Sequence, residues 1–136
     1  MTDADSRWKR IATARPQDVN LAEGALLIAT EEYQNLDVDA YLDRIEDMGA
    51  ALRRRLRQDI STTDALIALN RYVFDELGFS GNADDYYDPR NSFLNDVLER
   101  RLGIPITLTV LYIEVGRRIG LPLRGVSFPA HFLAKC

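Results

Sequence analysis

The sequence predicts an α+β fold in which N-terminal helices and a central buried helix pack on a β-sheet. Three observations support this prediction. Capped amphipathic patterns fill most of the chain before Gly103, a nearly all-apolar helix follows Pro105, and β-type segments come after Pro122. Because two strands alone are marginal in water, we expect the sheet to be incomplete and the chain to be truncated at Cys136.

A single domain accounts for the composition of the chain, which has 136 residues, 46% of them hydrophobic and 28% charged. A chain of this size buries one core. Residues 1–17 show no clear periodicity, so we expect a flexible N-terminal arm with one helical turn around Trp8. The domain itself is expected to cover residues 18–136.

Three amphipathic helices are predicted in the first part of this domain. Asn20 is the expected N-cap of the first helix, Asp37 or Asp39 of the second, and Ser61 of the third. Gly78 is expected just past the end of the third helix, where a left-handed residue is common. Apolar residues at helical spacing give each helix one face for the core: Leu21, Ala25, Ile28; Tyr41, Ile45, Met48, Leu52, Leu56; and Leu66, Leu69, Val73, Phe74, Leu77.

A turn-rich segment over residues 79–91 interrupts the helical pattern. It places two tyrosines among three aspartates, but it lacks the alternating ligands and distal glutamate of a calcium loop. We therefore interpret it as a structural loop and predict no metal or cofactor site. Ser92 is the expected N-cap of a short helix that Gly103 ends.

The next helix differs because it has almost no polar face. Pro105 suits its first position, Gly120 ends it, and Pro122 prevents its resumption. We expect this helix to lie at the centre of the fold. Residues 124–128 and 131–135 have the composition of the two strands.

Composition excludes several classes of protein. A net charge of −4 argues against nucleic-acid binding, and the basic run over residues 53–57 is typical of a helix C-terminus. The sequence has no apolar stretch of membrane-spanning length and no signal-peptide pattern at its start. Its one cysteine excludes an internal disulfide bond. We therefore expect a cytoplasmic protein with no membrane or nucleic-acid partner.

Three motifs carry a family resemblance: NSFLN at residues 91–95, GIPITL at residues 103–108 and FPAHFL at residues 128–133. Together with the upstream helices, the chain resembles the SirB-type (invasion-regulator) family of the transglutaminase-like superfamily, whose domain also occurs in an F-box protein. The likeness covers about residues 20–135, with Ala130 where the family often has glycine. It implies a papain/transglutaminase-like α+β fold, in which a helical layer and a central buried helix pack on an antiparallel sheet. Complete members usually continue with helical repeats.

The resemblance also implies where a catalytic site would lie. Catalytic members of the superfamily have a cysteine near the start of the central helix, a histidine on the next strand and an acid on the strand after it. Thr107 stands near the cysteine position, His131 matches the histidine, and the acid would lie beyond Cys136. A helix N-terminus can ionise a thiol but not a threonine hydroxyl, so Thr107 would need His131 as a general base.

Each candidate residue also has a structural interpretation. The hydroxyl of Thr107 can form hydrogen bonds within the first turn of its helix, and His131 can be a core residue whose two ring nitrogens are hydrogen-bonded. Cys136 lies on the histidine strand and not at a helix N-terminus, so it is interpreted as a chain-end or core thiol. Tyr86, Asn91 and Asn95 are predicted to border the same cleft as partner-binding residues, or else to belong to a loop that braces the helices. 

Two functions follow from these candidates. The favoured one is a non-catalytic transglutaminase-like module that binds a protein or peptide as a scaffold or regulator, because the family cysteine is absent. The alternative is an acyl-transfer or amide-hydrolysing enzyme that uses Thr107 and His131, and a downstream acid would favour it. A purely architectural helical domain is a third possibility.

Overall fold

Six α-helices and a two-stranded sheet make up the part of the chain that the computed structural model describes, residues 3–15 and 18–123. The helices are α1 (Asp3–Thr13), α2 (Leu21–Thr30), α3 (Val38–Arg55), α4 (Thr62–Asn70), α5 (Leu94–Arg100) and α6 (Pro105–Arg118). A π-helical segment (Arg71–Glu76) extends α4, and a 3₁₀ turn (Pro89–Ser92) precedes α5. The strands β1 (Ser80–Gly81) and β2 (Leu102–Gly103) flank this turn and α5.

The predicted caps of α2, α3 and α4 are confirmed. The side-chain oxygens of Asn20, Asp37 and Ser61 each accept a hydrogen bond from the backbone N–H three residues on, at 2.9, 3.1 and 3.1 Å. Asp37, and not Asp39, is therefore the cap of α3. Gly78 has a φ of 77°, as expected for the residue just past the end of the extended α4.

Residues 3–13 form α1, where the sequence analysis expects a flexible arm with one helical turn around Trp8. The apolar signal was weak because the helix is mostly polar, with Ala4, Trp8 and Ile11 as its apolar stripe. Ala4 and Ile11 pack against the core. Arg7 also holds the helix in place by donating to Glu23 at 2.6 Å. Tertiary contacts therefore help to stabilise this mostly polar helix, whose short apolar stripe the sequence analysis overlooked.

The predicted ends of α5 are wrong by a few residues. Its N-cap is Phe93, while Ser92 belongs to the 3₁₀ turn. The helix ends at Arg100, its C-cap Arg101 takes the left-handed conformation with a φ of 60°, and Gly103 lies in β2. A Cβ atom at position 103 would stand 2.8 Å from Thr107 Oγ1, so close packing rather than helix termination requires this glycine.

The prediction of a central buried helix after Pro105 is confirmed by α6, which contacts α2, α3, α4 and α5. Most of its apolar side chains are buried, and so is the charged side chain of Glu114, which is 2% exposed. No helix in residues 3–15 and 18–123 combines the length and apolar character that crossing a membrane requires. 

The described sheet is parallel, so the predicted antiparallel arrangement is wrong for it. Ser80 pairs with Leu102 and Gly81 with Gly103. The 3₁₀ turn and α5 form the crossover between β1 and β2, and this connection brings the chain into both strands in the same direction. Two-residue strands leave almost no periodic signal in a sequence. The two strands predicted from the sequence, residues 124–128 and 131–135, lie outside the described residues.

Glu114 joins the central helix to the start of α2. Its Oε2 atom accepts hydrogen bonds from the backbone N–H groups of Leu21 at 2.5 Å and Ala22 at 3.2 Å. Its Oε1 atom accepts one from Arg118 at 3.0 Å. A carboxylate at the positive end of a helix satisfies two N–H groups that have no partner within that helix. The position of α2 on α6 is therefore fixed by this buried charge.

Replacing Glu114 with glutamine is expected to lower the free energy of unfolding by about 2–4 kcal/mol, because Arg118 and the N-terminus of α2 lose a buried negative charge. Urea unfolding followed by circular dichroism measures this change. Glu46→Gln is the matched control, since Glu46 also pairs with Arg118 but its side chain is 63% exposed. We expect the control to lose less than about 1 kcal/mol. Equal losses in the two variants would contradict the role given to Glu114.

Candidate functional site

The hydroxyl group of Thr107 is held on both sides at the start of α6. Thr107 is the third residue of the helix and is 5% exposed. Its Oγ1 atom donates to the backbone oxygen of Asn91 at 2.8 Å and accepts from the N–H of Ile104 at 3.1 Å. The side chain thus closes the first turn of α6 and also ties that turn to the segment before α5.

Asn91 is the centre of a buried asparagine pair. Its side chain is fully buried, and its Nδ2 atom donates to the backbone oxygens of Asp85 at 2.9 Å and Tyr86 at 3.0 Å. Its Oδ1 atom accepts from Asn82 Nδ2 at 3.1 Å, and Asn82 Oδ1 accepts from the N–H of Asp85 at 3.2 Å. The pair therefore holds residues 82–91, here called the tyrosine loop, from the inside.

The tyrosine loop carries two exposed aromatic rings. Tyr86 is 56% exposed and Tyr87 is 90% exposed. Their ring centroids lie 5.4 Å apart at an interplanar angle of 85°, which is an edge-to-face contact. The sequence analysis named Tyr86 and missed Tyr87, although both stand in the same turn-rich segment.

Asn95, the third predicted cleft residue, lies on α5 and is 5% exposed. Its Oδ1 atom has no hydrogen-bond partner among the described residues. The structure therefore links Thr107 with Asn91 and, through Asn91, with the backbone of Tyr86, but it does not bring Asn95 into that network.

Thr107 also lines an apolar groove of about 310 Å³ between α1, α2 and the start of α6. Three large exposed side chains form part of its walls: Trp8, Ile28 and Ile106, which are 38%, 54% and 64% exposed. None of Tyr86, Asn91 and Asn95 lines this groove. The sequence analysis missed it because one wall comes from α1, which was expected to be irregular.

Two carboxylates, one in the tyrosine loop and one on α5, have fixed partners. Asp88 accepts from Arg90 Nη2 at 2.7 Å and lies 3.5 Å from Arg100. Hydrogen bonds from the side chain and then the backbone of Arg90 lower the pKa of Asp88 to about 2. Asp96 accepts from the hydroxyl of Tyr33 at 2.5 Å, and this hydrogen bond raises the pKa of Tyr33.

His131 and Cys136 lie outside the described residues, so the approach of His131 to Thr107 stays a prediction. Within residues 3–15 and 18–123, no three histidine, cysteine, aspartate or glutamate side chains come together in a way that would hold a metal ion.

Comparison with known proteins shows where this chain has relatives. Residues 39–136 match the family model described as the transglutaminase-like superfamily. A UPF0162 protein of Xylella fastidiosa (strain Temecula1) is 48% identical over 128 residues, which are 94% of this chain and 46% of the relative. A UPF0162 protein of Pseudomonas aeruginosa is 32% identical over 115 residues, or 85% of this chain and 42% of the relative.

The human F-box only protein 21 is 44% identical over 73 residues, which are 54% of this chain and 12% of that protein. The chain thus spans about half the length of the UPF0162 relatives and much less of the F-box protein. No solved structure matches the chain.

Two threonines of α6 offer a matched test of the Thr107 hydrogen bonds. Thr107→Val is expected to lower the free energy of unfolding by about 1–3 kcal/mol, because the N–H of Ile104 and the oxygen of Asn91 each lose a buried partner. Thr109 is 3% exposed, and its hydroxyl has no hydrogen-bond partner among the described residues. Thr109→Val keeps the same branched shape and should be neutral or stabilising. Chemical denaturation of both variants measures these changes. A Thr107→Val variant with an unchanged free energy of unfolding would contradict the anchoring role of the hydroxyl.

The low pKa of Asp88 predicts a loss of stability in acid. Its folded-state pKa is about 2 against an ordinary value of 3.8, so its contribution is present above about pH 4 and is lost as the pH falls through about 2. The stability difference between wild type and Asp88→Asn should therefore shrink over this range. Urea titrations at several pH values measure it. Arg90→Gln should reduce the same pH dependence. If the free energy of unfolding of Asp88→Asn falls with pH as steeply as that of the wild type, the low pKa does not belong to Asp88.

Proposed function

The chain belongs to the transglutaminase-like superfamily, and within that membership we propose that it is a non-catalytic module that binds a protein or peptide. The observation that carries the proposal is the bonding of Thr107. This residue stands at the helix position that the resemblance assigns to the nucleophile, but its buried hydroxyl serves two structural hydrogen bonds. 

A nucleophilic hydroxyl must give its proton to a base as it attacks. The hydroxyl of Thr107 instead has backbone oxygens to donate to, that of Asn91 at 2.8 Å and that of Ile104 at 3.1 Å, and its oxygen accepts from the N–H of Ile104. Redirecting the hydroxyl toward a substrate would leave the oxygen of Asn91 without this partner, at a cost of about 1–3 kcal/mol. The positive end of α6 does not ionise an alcohol near neutral pH, whereas it can ionise a thiol. These facts support a structural role for Thr107 in a protein that binds without catalysis.

The alternative is an acyl-transfer or amide-hydrolysing enzyme that uses Thr107 and His131 with a downstream acid. One observation favours it: Thr107 lines the apolar groove, so a substrate in the groove would lie next to the side chain. A threonine nucleophile also needs an aligned general base within about 3 Å, and His131 is the candidate.

Membership in the SirB-type family within the superfamily is also a proposal. The motifs NSFLN, GIPITL and FPAHFL support it. We further propose a cytoplasmic location, which the single cysteine supports.

Covalent labelling distinguishes the two functions. A fluorophosphonate probe and a β-lactone probe, which both acylate or phosphonylate activated hydroxyls, are incubated with the chain and with the full encoded protein across neutral pH. Mass spectrometry then maps the modified residues. We expect no modification of Thr107, because its hydroxyl is neither ionised nor free.

Three variants control this experiment. Cys136→Ser removes the only thiol, and Thr107→Val gives the background for the position itself. Labelling of Thr107 that disappears in His131→Ala, with the fold retained by circular dichroism, would overturn the non-catalytic proposal and establish the enzyme alternative.

A further inference from the structure

We propose that the tyrosine loop is the surface on which this module binds a positively charged peptide segment, with Tyr86 and Tyr87 as its aromatic contacts. The inference rests on the proposed function, because it names the site and the partner class of a non-catalytic binding module. It is carried by three features of the described residues: the exposure of the rings, the buried frame beneath them and the charges beside them.

The exposure of the two rings is unusual for residues on a well-braced loop. Tyr87 is 90% exposed and Tyr86 is 56% exposed, although the backbone that carries them is bonded to a buried side chain. Tyrosine offers a large contact area with few rotatable bonds, and for this reason it is enriched in protein interfaces and paratopes. The edge-to-face contact between the rings fixes each against the other, so they present one joint surface.

The frame beneath the rings is preorganised. Asn91 binds the backbone oxygens of Asp85 and Tyr86 from inside the loop, and Asn82 binds Asn91 in turn. Thr107 then anchors the backbone of Asn91 to the first turn of α6. A loop held in this way loses little conformational entropy when a partner binds, so even a small contact area can give measurable affinity.

The charges beside the rings select the partner. Asp84 and Asp85 are exposed, and neither forms a salt bridge within the described part of the chain. The third carboxylate, Asp88, is already paired with Arg90 and Arg100. Arg90 is exposed but is paired with Asp88, so the charges of this loop that have no salt-bridge partner among the described residues, Asp84 and Asp85, are negative.

Both the carboxylates and the ring faces attract cations. A guanidinium group can stack on a tyrosine ring while it donates to a neighbouring carboxylate, and a lysine ammonium can make the same two contacts less specifically. A phosphate-bearing partner would be repelled by Asp84 and Asp85. The chemistry thus favours a peptide segment that contains arginine, with lysine as the weaker substitute.

Peptide binding to the 136-residue chain tests the inference directly. The probe is a fluorescein-labelled peptide of alternating arginine, glycine and serine, and a peptide with citrulline in place of arginine keeps the shape without the charge. Fluorescence anisotropy at low salt is expected to show binding of the arginine peptide that is about tenfold tighter than that of the citrulline peptide. Added salt should weaken it.

Variants of the rings locate the contact. The double substitution Tyr86→Ala and Tyr87→Ala is expected to lower the affinity for the arginine peptide about tenfold, whereas Tyr86→Phe with Tyr87→Phe should retain most of it. All four substitutions are at exposed positions, so thermal unfolding should be nearly unchanged. Unchanged affinity in the alanine variant would overturn the inference.

Matched charge variants separate a specific site from general attraction. Asp84→Asn with Asp85→Asn is compared with Asp43→Asn and Asp47→Asn, a pair of exposed acids on α3 without a salt bridge among the described residues. We expect the loop pair to weaken binding about fivefold and the α3 pair to leave it nearly unchanged. Equal losses, or no binding of the arginine peptide by wild type, would overturn the inference.

These results are separate from those of the covalent labelling. A loop that binds no cationic peptide, together with an unlabelled Thr107, would end this inference and leave the non-catalytic function standing. A labelled Thr107 together with loop-dependent peptide binding would end the non-catalytic function instead.

Discussion

The burial of a single carboxylate, that of Glu114, constrains the rest of the structure. A charge that is 2% exposed must be hydrogen-bonded, because an unpaired buried carboxylate is far too costly to persist. The only backbone that satisfies its Oε2 atom in the described residues is the start of α2. Since Glu23 of α2 in turn holds Arg7 of α1, the placement of two helices follows from one residue of α6. The wall that α1 contributes to the apolar groove is a consequence of this chain of contacts.

At the N-terminal end of α6, a buried neutral group must likewise be hydrogen-bonded. Thr107 is buried, and its hydroxyl must find both a donor and an acceptor. It finds them in Ile104, which closes the helix turn, and in the backbone of Asn91, which carries the tyrosine loop. The helix thus positions the apolar groove through Glu114 and the exposed rings through Thr107. Two surfaces on the outside of the molecule depend on two polar side chains inside it.

The sequence predicts the features of this fold that depend on local chemistry. Asn20, Asp37 and Ser61 cap helices because each binds an amide only three residues away. The central helix was also predictable, since Pro105 begins it and its apolar residues leave almost no polar face. The superfamily could be inferred from motifs spread along the chain, and the match over residues 39–136 supports it.

Features that depend on distant partners were not predictable in the same way. Glu114 is an ordinary acid in the sequence, and only its contact with Leu21, 93 residues away, gives it a role. The bonds of Asn91 to Asn82 and to the loop backbone also form only in the folded loop, so the sequence alone did not predict them. The same reasoning applies to position 107, where a hydroxyl and a thiol would form different contacts. A thiol is a weak hydrogen-bonding group and would ionise at a helix N-terminus, whereas a threonine hydroxyl donates and accepts well and stays neutral. The oxygen atom that distinguishes threonine from cysteine at position 107 is therefore the one through which α6 holds Asn91 and, through it, the loop that bears Tyr86.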